Sequence, residues 1–502
     1  MRRTETLILA ALLGIGLLAR LWVSFHTDYL IHPDESHDYL DQGFRLAFGH
    51  GPTTWTYEYG LRSYLFPGLI AAVMWLAAIA GAPPAEAHFA VTLGMVALSL
   101  TLIWAAWHWG RGIDGRLGGL ITGFLIAIWF EEIYFAGHPL SEVIATDALV
   151  AGAWLTEDAF GRPTRRRLIW AGVFLGLALY QRVQIAPAIA VIGLWLLVRD
   201  GWRPGLWLVA GALLPFGCLG LLDGITYHYP FQSIALYLWT NIGAGVSDYY
   251  GRQPAWYFLS LEASYQAGAA GMLLLTCLIG AWRAPRLMLI AVSIIATLSL
   301  IGHKEYRFFH PALPFLCVLS GLGTSWMVRL AVAGLSRLNQ WAGDRNRDAL
   351  TMIGCAVALT VWSLTSATLA LQGPFKREWK RESGAIAAAR VLSSVPDLCG
   401  VGLYDITGSA MAGFSFVGRD VPYYIVSTPR RFASDAVSFN TVLAQDSNLP
   451  PGDDFIRQGC WDNGYNEASM NTRMPAMCLL VRPGGCKPGA IRDIDRDRPP
   501  GY

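Results

Sequence analysis

Two adjacent carboxylates, Asp34 and Glu35, follow His32-Pro33 just beyond the first long apolar run, Leu7 to Phe25. An acid just outside a membrane helix, tuned by burial and nearby charge, can take a proton from a hydroxyl. The same residues also fit a helix start, since Asp after Pro with acids in the first turn is capping chemistry. One base suffices for an inverting displacement, whereas a hydrolase uses two separated carboxylates with distinct roles. Adjacent residues at a helix start point in different directions, so Asp34 is the expected base and Glu35 its neighbour.

A second group is His303-Lys304-Glu305-Tyr306-Arg307. Lys304 and Arg307, three apart, would share a helical face and offer a phosphate a point charge and a bidentate clamp. Interfacial snorkelling is the alternative for both, as it is for Arg182 between Gln181 and Gln184. Glu142 opens an apolar run, and Asp147 then falls at membrane depth, where a charge is costly. Loop 223–266 is rich in Tyr and Trp, including Tyr227 and Tyr250. An interfacial aromatic belt accounts for most of these, while a few would line a site for sugar or isoprenoid. Asp223 and Asn241 are its most promising polar residues.

The elements that must position these groups are membrane helices. The chain has 502 residues, 54% hydrophobic and 15% charged, which marks a membrane protein. Apolar segments fall at about 5–25, 62–81, 87–109, 117–135, 142–158, 168–182, 185–199, 205–222, 267–282, 287–302, 311–334 and 349–371. The opening Met-Arg-Arg with its apolar run has no small-residue cleavage pattern after it, so a retained signal anchor is expected. Sixteen arginines mark one set of loops, including Arg111, Arg116, Arg165 and Arg286, against six basic residues on the other. The positive-inside rule makes the first set cytoplasmic. Parity then requires 62–81, which opens with Arg62 and carries Pro67, to be interfacial or re-entrant. The expectation is about eleven transmembrane helices, N-terminus in the cytoplasm and C-terminus outside. All the polar motifs above then meet at the outer face, as a cavity built from helix ends requires.

Domain 1–372 is therefore an all-α polytopic unit. Region 373–502 changes composition, and runs such as Val421–Val426 and Met477–Val481 predict a small mixed α/β extracytoplasmic domain with a disordered tail after Gly489. Its four cysteines, Cys399, Cys460, Cys478 and Cys486, allow at least one disulfide outside, whereas Cys218, Cys277, Cys317 and Cys355 fit core thiols. No Cys or His spacing suggests a metal, and nothing points to nucleic acid.

Taken as a set, the motifs resemble glycosyltransferase family 22. His32-Pro-Asp-Glu35, Thr56-Tyr-Glu-Tyr59 and Leu61-Arg-Ser-Tyr-Leu-Phe-Pro67 look like its opening. Asp223 with Tyr227-His-Tyr229, then Asn241 and Tyr250-Gly251, resembles its Asp–Tyr and Asn…Gly loop, and His303-Lys-Glu-Tyr-Arg-Phe308 its late signature. The resemblance spans about residues 20–320 and implies a GT-C fold. It also implies inverting, nucleotide-independent transfer, usually of mannose, from a polyprenyl-phosphate sugar to a glycan or lipid-linked acceptor. Asp34 maps to the family's base, with no cofactor and the lipid-linked sugar as cosubstrate. The donor phosphate would meet His303, Lys304, Arg307 and Arg182. His32, Glu58, Arg62, Glu142, Asp223, Tyr227, Asn241 and Tyr250 would line the substrate. One departure is His138-Pro-Leu-Ser-Glu142, where the family has an Arg-Thr/Leu-Ser-Asn type of run. Transfer of arabinose or a hexuronic acid is the alternative in the same class. A lipid-oligosaccharide transporter, expected to show repeated halves and mid-membrane charges, is the alternative outside it. The Arg-, Ala-, Gly- and Leu-rich composition points to a bacterial inner membrane, with the ER membrane the equivalent in a eukaryote.

Overall fold

Each of the twelve apolar segments forms a helix in the computed structural model, which describes residues 3–157, 162–338, 344–406, 410–465 and 473–487. Arg2 and the expected disordered tail after Gly489 lie outside the described residues. Among those described, seven helices are long and apolar enough to cross a membrane. One of them, Pro84–Ile128 with 45 residues, is two arms rather than a rod. Asp114 (φ −132°) and Gly115 (φ +68°, ψ −156°) reverse the chain, and the latter conformation suits only glycine. The arms then run side by side, with Thr122 Oγ1 donating to the Ala106 carbonyl at 2.8 Å. Arg111 and Arg116, on either side of the reversal, both reach Glu5 near the N-terminus, at 3.0 and 3.3 Å.

Small residues let other helices close up, as lipid-embedded packing favours. A Cβ on Gly211 would lie 2.0 Å from the Ile169 carbonyl, and one on Gly323 would lie 1.8 Å from that of Thr276. Val198, Ile225, Trp282 and Leu300 turn outward, each more than 80% exposed, an apolar surface that suits lipid rather than water. Asp147 is buried in the bundle, away from the cavity described below. Cys277, Cys317 and Cys355 are buried as expected of core thiols. Cys218 is exposed on the helix Trp202–Thr226, because its side of that helix has no protein neighbour covering it.

After Gly373 a five-stranded sheet forms from β1 (Val401–Tyr404), β2 (Tyr423–Val426), β3 (Thr441–Gln445), β4 (Ile456–Trp461) and β5 (Met477–Val481). The order is β2-β1-β3-β5-β4, parallel across β2-β1-β3 and antiparallel across β3-β5-β4. Parallel pairs need crossovers, supplied by the short helices Phe414–Val417 and Pro429–Asp435. Disulfides join Cys399 to Cys486 and Cys460 to Cys478, the second pair lying opposite each other across β4 and β5.

This domain grips the loop that follows the first helix, Arg3–His26. The Leu30 N–H donates to the Arg381 carbonyl at 3.1 Å, and Arg381 Nη1 donates to the Ile31 carbonyl at 2.8 Å. Arg381 is itself held by Glu378 at 2.5 Å. The loop that carries Asp34 is therefore fixed from outside the membrane domain.

Candidate active site

Asp34 immediately precedes a π-helical turn, Glu35–Leu40, a distortion common at functional sites. Its Oδ2 accepts from Arg62 Nη2 at 2.8 Å and from Arg307 Nη2 at 2.9 Å. Its Oδ1 lies 3.2 Å from His32 Nδ1. One carboxylate thus joins the loop after helix Arg3–His26, the segment before helix Leu65–Ile79, and the segment after helix Pro285–Leu300.

The contacts continue outward in both directions. Arg62 also reaches Asp38 Oδ2 at 2.9 Å, and Asp38 Oδ1 accepts from the hydroxyls of Thr54 and Thr56 at 2.7 and 2.8 Å. Tyr39 receives a further Arg62 bond, while the Tyr227 hydroxyl donates to the Arg62 carbonyl at 2.6 Å. Arg307 bonds Glu305 Oε2 at 2.5 Å and shares Glu142 with Arg182, at 3.5 and 3.2 Å. Glu305 Oε1 is 2.7 Å from His303 and 3.3 Å from His32. Acids and bases alternate through the whole cluster, which is how partly buried charge is made tolerable.

This alternation sets the proton affinities. Burial raises the Asp34 carboxyl, but Arg307, His32 and Arg62 outweigh it and hold the group well below the usual carboxylate range. Glu305 is likewise held well below, burial being outweighed by Arg307 and His32. Burial and Arg307 lower His32, yet Glu305 and Asp34 push it up to about 10. The mouth of the site is therefore a zwitterionic lattice at neutral pH.

A cavity of about 1170 Å³ opens beside it. His32, Asp34, Arg62, Arg182, Asn241, Tyr250, His303, Lys304 and Arg307 of the sequence candidates all line it. Its lining also includes the apolar and aromatic residues Tyr237, Leu238, Ile242, Tyr257, Leu298 and Ile301. The remaining candidates sit elsewhere. Glu35 turns away from the cavity: Oε1 is 2.7 Å from His138 Nδ1, and Oε2 accepts from the Ile31 N–H at 3.1 Å. Glu142 lies behind the arginines, Tyr227 supports Arg62 from outside, and Glu58 is exposed beyond the cavity wall. Asp223 is fully buried, accepting from Tyr180 at 2.8 Å and from Ser233 N and Oγ at 3.0 and 2.6 Å, so it braces the aromatic loop.

Lys304 and Arg307 do not share a helical face. Glu305 is extended (φ −130°, ψ 150°), and the 3₁₀ turn begins only at Tyr306. Lys304 Nζ instead bonds the carbonyls of Gln253, at 3.0 Å, and Ile301. Asp38, Glu305 and Phe414 line the cavity without having been among the sequence candidates. Asp38 is four residues from Asp34 and Glu305 lies inside the quoted motif, so local spacing held a signal for both. Phe414 comes from the sheet-bearing C-terminal region and had none. Among the described residues no group of three or more His, Cys, Asp and Glu side chains is arranged to hold a metal ion.

The sequence pattern of the Alg9-like mannosyltransferase family matches residues 12–373. The GPI mannosyltransferase 3 of Yarrowia lipolytica is 24% identical over 413 residues, covering 80% of this chain and 74% of that one. The protein of the same name from Emericella nidulans is 26% identical over 383 residues, covering 71% of this chain and half of its own length. In three dimensions the chain resembles ArnT from Cupriavidus metallidurans, solved bound to undecaprenyl phosphate. The TM-score is 0.55 at 12% identity, covering 95% of this chain and 97% of that one.

Proposed function

This chain belongs to the Alg9-like mannosyltransferase family, and from that premise we propose that it moves mannose from a polyprenyl-phosphate donor to an extracytoplasmic acceptor hydroxyl, with inversion and Asp34 as base. Membership makes it a membrane mannosyltransferase. The donor, the side, the acceptor class and the residue roles are the proposal. The observation that carries it is the Asp34 carboxylate bridged by Arg62 and Arg307 in the lining of a cavity that also has apolar and aromatic residues. An undecaprenyl phosphate bound to the ArnT neighbour is consistent with a lipid-phosphate donor.

The chemistry follows from charge. A polyprenyl-phosphate mannose is a phosphodiester monoanion, and breaking its anomeric C–O bond leaves a phosphate monoester with one more negative charge. Arg307, Lys304 and Arg182 line the cavity where that charge would build, with His303 beside them. The acceptor oxygen forms the new anomeric bond from the opposite face while its proton passes to Asp34. The resting Asp34 is a weak base because its arginines hold it ionised. As the leaving phosphate gains charge it competes for Arg307, and Asp34 regains basicity when the proton must move. The donor brings its own activated leaving group, so the proposal calls for no cofactor.

Eleven spans with the outer domain beyond the membrane fit this scheme. The loop before helix Leu65–Ile79 touches the outer domain through Leu30, and the loop after it does so at Ala85, 2.3 Å from a Cβ built on Gly418. Both ends of that 15-residue helix thus face one side, which supports a re-entrant element. The composition supports a bacterial inner membrane. The test is incubation of the purified protein with polyprenyl-phosphate-mannose and a panel of glycan, lipid-linked and peptide acceptors. Transfer with inversion is expected from this donor and not from a nucleotide-mannose. Transfer from the nucleotide sugar alone, or to no acceptor at all, overturns the reading.

A further inference from the structure

We propose that Asp38 is a positioning residue, the standing counter-charge of Arg62, which keeps that arginine in place at the moment Asp34 takes up its proton. The inference rests on the transferase reading of the cavity. One nitrogen, Arg62 Nη2, bridges the two acids, 2.8 Å from Asp34 Oδ2 and 2.9 Å from Asp38 Oδ2. Burial works against the Arg62 charge, but Asp38 first, then Tyr39 and Asp34, outweigh it and hold the group well above its usual value. Asp38 is buried and is itself pinned. Its Oδ1 accepts from the Thr54 and Thr56 hydroxyls at 2.7 and 2.8 Å, so both of its oxygens accept, as a carboxylate's do. The π-helical turn that carries it is also tied to the sheet-bearing C-terminal region. His37 Nε2 lies 3.2 Å from the Met411 carbonyl oxygen, and just beyond the turn Asp41 Oδ1 accepts from the Ser415 N–H at 2.9 Å.

The need for a second acid follows from the charges. In the transfer the acceptor O–H bond breaks and its proton goes to Asp34. The oxygen's electron pair bonds the anomeric carbon, and the anomeric C–O pair leaves with the phosphate. One negative charge thus moves from Asp34 to the phosphate. Arg307, which shares Glu142 with Arg182 and lines the cavity with Lys304, can follow it. Arg62 gives its other bonds to Asp38 and Tyr39, while its carbonyl accepts from Tyr227, so it stays behind. Without Asp38 it would stay as a part-buried cation facing a neutral acid, and that cost would oppose the proton transfer. A guanidinium shared between two acids also leaves Asp34 more basic than a guanidinium it held alone.

The test uses the full-length protein in detergent with polyprenyl-phosphate-mannose and the acceptor it uses best. Single-turnover transfer should fall about 10- to 100-fold in Asp38→Asn, with donor and acceptor KM unmoved, and Asp38→Glu should keep most of the parental rate. An unchanged rate in Asp38→Asn overturns the inference. In an Arg62→Gln background the same substitution should cost less than about threefold, because no cation is left to strand. An equal loss in both backgrounds overturns it too, since Asp38 would then be only the partner of Thr54 and Thr56. This comparison needs only the charge-balanced double variant to fold. A second cycle reads the melting temperature with no donor present. Asp34→Asn imitates the protonated base, so Asp34→Asn with Asp38→Asn should lower it by more than the two single losses together. A simple sum would mean that Arg62 does not depend on Asp38, and sinks the inference. If the parent does not use this donor, the functional reading fails instead, and the melting cycle still decides the pairing.

Discussion

On one side of Asp34 the cavity wall is made by helix ends of the membrane domain: Arg182 caps Arg165–Gln181, while Lys304 and Arg307 follow Pro285–Leu300. On the other side it is made by the loop after helix Arg3–His26 and a segment of the sheet-bearing C-terminal region that meets it across 374 residues of chain. The proposed donor side takes charge and apolar surface from elements that any membrane bundle possesses. The proposed acceptor side exists only where two distant pieces dock. Donor recognition should therefore survive damage to the outer domain, and acceptor recognition should not.

The sharpest way to break that contrast is at the residue where the sides meet. Asp34→Asn keeps size and polarity and removes the proton acceptor, so single-turnover transfer with saturating donor should fall about 100- to 10,000-fold. Donor binding should persist, since Arg62 and Arg307 lose a competing anion. Glu35→Gln should cost only a few-fold, because Glu35 holds Ile31 and His138 rather than facing the cavity. Near-parental turnover in Asp34→Asn with a collapse in Glu35→Gln would move the base to the other carboxylate.

The donor side comes next in size. Charge-assisted hydrogen bonds contribute about 1.5–3 kcal/mol, so Arg307→Ala should weaken donor binding by about 10- to 100-fold, and Arg307→Lys should recover only part. Arg307→Ala also strands Asp34, Glu142 and Glu305, so Lys304→Ala is the cleaner probe. Lys304 Nζ bonds the carbonyls of Gln253 and Ile301, and its loss should leave the fold intact while donor affinity drops about tenfold. Unchanged donor affinity in both alanine variants would return the pair to snorkelling anchors.

The same division explains how much was legible in the sequence. The helices are written as apolar runs, the reversal at Asp114-Gly115 as a polar break with Arg on both sides, and the disulfide-bearing domain as a change of composition. The proposed donor motif, His303 to Arg307, is local, so its residues could be found. Its geometry could not: an extended Glu305 between the two cations leaves no periodic trace, and neither does a π-turn after Asp34. Phe414 lacked any signal, because what brings it to the cavity is a set of backbone bonds to His37 and Asp41. Asp223 and Glu142 have the right residue types for a site yet are buried as braces, which composition alone does not distinguish.

A smaller effect should come from the disulfides. The seventeen intervening residues between Cys460 and Cys478 give a loop whose closure stabilises by about 3 kcal/mol in the chain-entropy account. Replacing both by Ser should lower the melting temperature of the outer domain and raise the acceptor KM, with donor affinity unchanged. A matching loss of donor affinity would show that the two sides are not separable in this way. Four free thiols among Cys399, Cys460, Cys478 and Cys486, counted by mass after alkylation, would remove the premise.

The smallest expected effect is one of pH, and it tests whether the two sides are tied electrostatically at Asp34. His32 lies between Asp34 and Glu305, and its folded-state proton affinity is pushed up to about 10, against about 6.5 when the chain is unfolded. A group whose affinity rises on folding contributes stability that is fully present below its unfolded value and is lost as pH climbs toward the folded one. Asp34 and Glu305 are shifted the opposite way, so their contribution is present above about 4 and fades only as pH falls through their depressed values. The His32 share can be isolated by comparing His32→Gln with the parent, which cancels the titrating groups that do not face His32. The parent should resist heat inactivation better than His32→Gln at pH 6, and the gap should narrow between about pH 7 and 10 as the imidazolium loses its proton. A gap that instead widened with rising pH would mean that His32 is held neutral, and that Asp34 is kept ionised by the two arginines alone.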